Sequence, residues 1–342
     1  MQNHIWGKGQ TEFFYTITPE IILDAVAKLG FEVTGRCIQL NSMENRVYEV
    51  EIENPQDFDE LTNSFIIVKF YRPGRWTKEQ IKEEHLFMFD LQEFEVPVIA
   101  PLKINGLSLY SLEEQNIYYT VFPKRGGRAP DEMNTEQIQI MGRMLARLHN
   151  VGATRQAQHR LKINEDTFGI QNLNYLLENN FISSHIVKSY EKIVLDICQL
   201  AKPLFQNITN IRIHGDCHCG NIISRDSEGM FFIDFDDTLV GPAVQDIWLI
   251  IPGTDQYAIQ DRHLLLEAYQ EMRDFNFQEI KLVEVLRALR FIHFSTWIAK
   301  RWEDPAFKRA FTHFNDPNYW ETQLNDLRIQ YSLIQESLYN SP

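Results

Sequence analysis

The sequence predicts an α+β fold in two lobes: an N-terminal antiparallel sheet with one helix, then a mainly helical C-terminal lobe. Three observations carry this. Strand-like runs at 47–52, 65–71, 96–102 and 117–122 are interrupted by a single helical pattern that opens at Thr77. Pro123 and the Gly126-Gly127 pair break the chain, which sets the lobes at 1–123 and 124–342. Beyond that break the apolar residues recur mostly at helical spacing.

Each element has a local reason. Thr18-Pro19 opens the first helix, because Thr caps well and Pro suits the first helical position. Ile22, Ala25, Val26 and Leu29 form its apolar stripe, and Gly30 stops it. VYEVEI at 47–52 alternates apolar and charged residues, whereas FIIVKFY at 65–71 is apolar throughout except for Lys69. The acidic stretch NPQDFDELTNS between them reads as a turn. Thr77 and Gln80 form a capping box for a helix that runs to about Phe94. In the second half, Asn134 caps a helix bearing Ile138, Met141, Leu145 and Leu148, and another covers 186–200. A short β patch follows at 211–213, 222–224 and 230–235, then helices near 258–275, 279–302 and 318–338.

The bulk chemistry narrows the function. The chain has 342 residues with 33 Lys+Arg against 47 Asp+Glu, a net charge of −14. That excess of acid opposes nucleic-acid binding, which needs a basic face. The cysteines (Cys37, Cys198, Cys217, Cys219) are too sparse for a disulfide framework. No basic stretch followed by an apolar run opens the chain, and no run approaches the roughly 18 apolar residues of a membrane span. The expectation is a reduced, cytoplasmic protein with no membrane partner.

The chemistry concentrates in Ile213-His-Gly-Asp-Cys-His-Cys-Gly-Asn221. His214, Asp216 and Asn221 have the spacing of a kinase catalytic loop. A carboxylate must accept the proton of an attacking hydroxyl, and an amide oxygen must hold a metal ion that faces phosphates. Asp234 follows at the end of the apolar run MFFIDF, where a carboxylate suits the magnesium that bridges terminal phosphates. The fold expectation therefore sharpens to a protein-kinase-like one, with ATP as co-substrate and Asp216 and Asp234 as the catalytic pair.

Lys69 extends the set. A lysine within an apolar strand needs a counter-charge. Ile81, Glu84, Met88 and Leu91 follow helical steps, so Glu84 lies on the apolar stripe, while Glu83 shares its face with Gln80, Phe87 and Asp90. Glu84 is the expected partner. The segment Asn41-Ser-Met-Glu-Asn-Arg-Val-Tyr48 stands where a phosphate-covering loop belongs, with Ser42 and Asn45 as side-chain donors, although it is not glycine-rich.

Competing chemistries use the same residues. IDFDDTL at 233–239 matches the D-x-D-x-T loop of haloacid-dehalogenase-like phosphatases, but the alternating β/α pattern such a loop opens is missing after Leu239. His214, Cys217, His218 and Cys219 resemble half a zinc site without a second ligand pair. A kinase-like scaffold without activity is opposed by the presence of Lys69, Asp216, Asn221 and Asp234 together.

The blocks SMENRVY, IVKFYRPGRWT, EEHLF, RLHNVG, IRIHGDCHCGNII, FFIDFDD, GPAVQDIW and RWEDPAF closely resemble the stress response kinase A family. These are bacterial Ser/Thr protein kinases on the choline-kinase and aminoglycoside-phosphotransferase fold. The resemblance implies that Asp216 is the catalytic aspartate, that Asn221 and Asp234 are metal ligands, and that Lys69 and Glu84 anchor the nucleotide. It implies further that Asp246 steadies the catalytic loop and that strand 119–122, with Phe122, receives adenine. Phosphorylation of protein serine or threonine, self-phosphorylation included, follows from the family alone. No long activation segment or A-P-E block separates Asp234 from Asp246, which leaves activation-loop control and peptide docking without a visible device. The alternative is a small-molecule kinase of the choline, homoserine or aminoglycoside type. The acidic balance would suit such a cationic substrate, and the Lys300-Arg301-Trp302 cluster reads as an exposed substrate contact.

Overall fold

The computed structural model describes residues 14, 16–58, 61, 63–206, 208–225 and 228–339. The expected absence of a leader at 1–13, part of the acidic turn and the tip of the 224–229 hairpin lie outside them.

The chain divides into two compact units. The first runs to Pro130 and takes in Gly220–Asp236; the second is Asp131–Cys219 with everything from Asp237 on. The division therefore falls later than 123/124 and is crossed twice more. The cause is a hairpin, β7 (Ile222–Arg225) with β8 (Gly229–Phe232), that bonds back to the first unit. Arg128 pairs with Ser224 and Val98 with Phe232. Gly127 lies so close to β7 that a Cβ there would sit 1.8 Å from Ile223 Cγ2.

In the first unit, α1 (Pro19–Ala27) is capped by the Thr18 hydroxyl, which accepts from the Ile21 N–H at 3.5 Å. The antiparallel sheet comprises β1 (Val33–Leu40), β2 (Arg46–Ile52), β3 (Phe65–Phe70), β4 (Tyr110–Leu112) and β5 (Ile117–Pro123), in the order β1-β2-β3-β5-β4. Both edge strands escaped the sequence patterns. β1 is largely solvated, so it carries little apolar signal, and β4 is only three residues long. The reverse error occurs at 96–102, where no strand forms. Pro97 and Pro101 lack the N–H that a ladder needs, and what remains are single bonds such as Leu102 N–H to the Val121 carbonyl at 2.7 Å.

α2 (Lys78–Glu93) begins at the reciprocal Thr77/Gln80 capping box. Gln80, Phe87 and Asp90 of the neighbouring row are buried along with the apolar stripe. The sheet core is built from Ile22, Val26, Val50, Ile66, Val68, Phe70, Ile117 and Val121, all at 0% exposure. At about 1.5–3 kcal/mol for each buried side chain, this core stabilises the register that positions Lys69. In that register Lys69 stands opposite Val47 on β2 and Thr120 on β5.

The second unit is helical apart from the ladder of β6 (Ile211–Ile213) with β9 (Leu239–Gly241). Its helices are α3 (Thr135–Ala153), α4 (Gln171–Glu178), α5 (Val187–Gln206), α6 (Val244–Ile250), α7 (Gln256–Gln270), α8 (Val283–Lys300), α9 (Pro305–Ala310) and α10 (Pro317–Tyr339). Asn134 caps α3 with a second reciprocal box. The predicted helix at 279–302 starts late, because a 3-10 segment over Phe277–Leu282 precedes it. Among the described residues, no helix is long and apolar enough to cross a membrane.

Candidate active site

In the first unit, the Lys69 ammonium lies 3.6 Å from Glu84, 3.4 Å from Asp234 and 3.1 Å from Asp236. Burial alone would drive its proton off, but Asp236, Glu84, Tyr71 and Asp234 outweigh it, and the ammonium pKa stands well above its ordinary value. Glu84 is fully buried and accepts a hydrogen bond from the Tyr71 hydroxyl at 3.1 Å. The same hydroxyl is 2.9 Å from His85 Nε2, and His85 Nδ1 is 2.9 Å from Ser108. A buried polar relay thus fixes the glutamate's rotamer.

Asp234 follows β8 and adopts φ +56°, a left-handed conformation that Asp tolerates better than most residues. Its side chain is 55% exposed, unlike that of Asp236 at 4%. Asn221 closes a 3-10 turn before β7, and its carbonyl accepts from the Ile233 N–H at 3.0 Å.

The loop between β1 and β2 has a different character from the expected set of phosphate-capping side chains. Asn45 is 4% exposed and its Oδ1 accepts from the Arg72 N–H at 3.1 Å. Asn45 therefore braces the loop from within. Ser42 is half-buried at the turn, and Phe122 is half-buried on β5 opposite Ile67.

In the second unit, Asp216 Oδ1 accepts from Arg290 Nη1 at 2.8 Å, and its Oδ2 lies 3.5 Å from His218 Nε2. Burial raises this carboxyl, but His218 and Arg290 outweigh it and hold it well below the usual carboxylate range. Asp246, on α6 and fully buried, accepts from the His214 N–H and the Gly215 N–H, each at 2.8 Å. Gly215 has φ +86°, and a Cβ there would meet the Asp237 carbonyl at 2.2 Å. Only glycine fits this bend. His149 Nε2 stands 3.2 Å from Asp246, and its Nδ1 lies 3.0 Å from the Tyr269 hydroxyl.

The competing readings find little support. Cys217 is buried, and burial followed by the charges of Asp246 and Asp216 pushes its thiol well up, away from the thiolate that zinc needs. Asp236, the second carboxylate of D-x-D-x-T, is buried between Lys69 and Arg75. The Lys300-Arg301-Trp302 cluster is not an exposed contact. Arg301 is 3% exposed, and the Lys300 ammonium sits 4.6 Å over the Tyr175 ring.

Four roles in these sets were not singled out from sequence: Asp236 as a partner of Lys69, Arg75 as a partner of Asp236, and Arg290 and His218 as partners of Asp216. Arg75 lay within the RPGRW block, and Asp236 within FDD. Arg290 belongs to a helix with no motif signal.

Residues 37–283 match the model of the phosphotransferase enzyme family, described as APH. The chain is 37% identical over 324 residues to stress response kinase A of Escherichia coli (strain K12), covering 94% of this chain and 95% of that one. It is 36% identical over 324 residues, with the same coverage, to serine/threonine protein kinase RdoA of Salmonella typhimurium. Among solved structures, amicoumacin kinase hAmiN in complex with AMP-PNP, Ca2+ and Ami superposes with a TM-score of 0.70 at 17% identity, covering 90% of this chain and 95% of that one. Choline kinase LicA from Streptococcus pneumoniae gives a TM-score of 0.60 at 16% identity, covering 90% and 98%. The family match and the two relatives thus define a phosphotransferase, a kinase. Within that class the chain belongs to the stress response kinase A family.

Proposed function

We propose that this kinase transfers the γ-phosphate of Mg-ATP to a serine or threonine hydroxyl of a protein, itself included, in the cytoplasm. The observation that carries the reading is similarity over 94% of the chain to relatives named stress response kinase A and serine/threonine protein kinase RdoA.

The residues take roles that their chemistry supports. Lys69, kept charged by its carboxylates, binds the α- and β-phosphates. Asn221 and half-exposed Asp234 offer the hard oxygen donors that magnesium prefers, so they suit the metal. When bound, the metal offsets the charge on the terminal phosphates. Ser42 and the backbone N–H groups of the β1–β2 loop face the phosphates, and the end of β5, with Phe122, receives adenine. Asp216 accepts the proton of the acceptor hydroxyl. Its depressed pKa makes it a weak base, while Arg290 and His218 hold its two oxygens in place, which suits a reaction governed by positioning and electrostatics.

One contact bears on the acceptor. Arg290 places a guanidinium beside Asp216, so the carboxylate that meets the acceptor is already paired with a cation. A second reading, a small-molecule kinase, is favoured by the shared fold of choline kinase LicA and amicoumacin kinase hAmiN. Purified protein with γ-labelled Mg-ATP, offered choline, homoserine, an aminoglycoside and a protein acceptor, separates the two. Label on protein Ser or Thr alone supports the proposal; label on a small alcohol alone replaces it with the second reading.

A further inference from the structure

The β1–β2 loop lacks the glycines that let a backbone wrap phosphates, so something else must hold its shape. The structure shows a set of buried charges at its base. Arg72 Nε donates to the Glu44 carbonyl at 2.9 Å, and Arg72 Nη2 to the Met43 carbonyl at 3.4 Å. The Glu44 carboxylate lies 3.1 Å from Arg72 Nε and 3.6 Å from Arg75 Nη1. That same Arg75 nitrogen donates to Asp236 Oδ2. Asp236 is in turn the nearest carboxylate to Lys69, at 3.1 Å. Arg72, Arg75 and Asp236 are at most 6% exposed.

We propose that Arg75 is a positioning residue for the triphosphate: it clasps Glu44 of the β1–β2 loop to Asp236 beside Lys69. The proposal rests on the nucleotide role of Lys69 given above. Two physical consequences follow. The loop is held by charge where other phosphate-covering loops rely on glycine, so its N–H groups are pre-oriented before nucleotide arrives. Arg75 is also the second counter-ion of Asp236. When the triphosphate draws on the charge of Lys69, Asp236 still faces a cation and is not left as a bare buried carboxylate. The block RPGRW supplies both arginines, so one short segment after β3 serves the loop and the site.

The test is nucleotide affinity, measured by titration calorimetry with Mg·AMP-PNP and with adenosine, on the full chain. Arg75→Met keeps bulk and removes charge. It is expected to weaken Mg·AMP-PNP about tenfold or more, within the usual range of site-to-site coupling, while adenosine affinity stays at the wild-type value. Arg75→Lys should recover part of the loss, and Glu44→Gln should weaken Mg·AMP-PNP by a smaller factor. A merely structural role would move adenosine and Mg·AMP-PNP together, and that result overturns the proposal. Wild-type Mg·AMP-PNP affinity in folded Arg75→Met overturns it too. Should Arg75→Met not fold, wild-type affinity in both Arg75→Lys and Glu44→Gln does the same. Wild-type protein that binds adenosine but not Mg·AMP-PNP removes instead the nucleotide role of Lys69, and the clasp with it.

Discussion

Arg290 Nη1 stands 2.8 Å from Asp216 Oδ1, so the carboxylate assigned to the acceptor proton has a cation fixed beside it. With His218 on the other oxygen, the two partners overcome the effect of burial and keep Asp216 ionised. Because the folded pKa is depressed, the stabilisation this provides is present above the unfolded value of about 3.9 and is lost as pH falls through the folded one. Arg290→Gln should raise the Asp216 carboxyl towards the ordinary range. Carboxyl-carbon NMR titration checks this, and an unmoved resonance would count against the pairing.

Glu84 offers a second prediction. It is fully buried, tied to Lys69 and Tyr71. Glu84→Ala removes one of three carboxylates around Lys69 and takes an acceptor from the buried Tyr71 hydroxyl, so chemical denaturation should show a loss of about 1–3 kcal/mol. If Lys69 binds phosphates, KM for ATP should rise more than kcat falls. Unchanged stability would contradict the burial of this pair.

Asp246 governs the bend at His214-Gly215 by accepting two backbone N–H groups. Asp246→Ala leaves both donors buried and unsatisfied, at about 1–3 kcal/mol each. Asp246→Asn keeps one acceptor and should fall between. Thermal melts rank the three proteins, and equal melting of all three would refute the assignment.

Lys300 carries a pH signature of its own. Burial, helped by Arg301, pushes its ammonium down to about 7. A lysine depressed in the folded state binds fewer protons there than when unfolded. Between about 7 and the unfolded value of about 10.4, stability from this group therefore rises with pH. Lys69 has the opposite sign: its contribution is full below about 10.4 and is lost only as pH climbs through its raised folded value. Lys300→Met should thus raise the melting temperature near pH 6 and lose that advantage above pH 10. A constant difference across the range would contradict the shift.

How much could be read in advance depended on how local each signal was. Lys69 announced itself as the one charge in an apolar strand, and Glu84 as the one acid on an apolar helical stripe. The spacing of Asp216, Asn221 and Asp234 needed no tertiary knowledge. Arg75 and Arg290 could not be found that way, because their partners are 161 and 74 residues distant in sequence. Edge strand β1 was hidden by its solvated pattern, and the apolar run at 96–102 misled because its prolines remove ladder donors. Asn45 lies in the β1–β2 loop, and nothing local reveals that its side chain turns inward to Arg72.

We expect Asp216 to act in the transfer step and not in holding nucleotide. Single-turnover transfer from γ-labelled Mg-ATP, measured for wild type and Asp216→Ala beside their Mg-ATP affinities, tests it most directly. The expected result is a fall in transfer of about 10²- to 10⁴-fold with nucleotide affinity kept. Transfer near the wild-type rate in Asp216→Ala would contradict it.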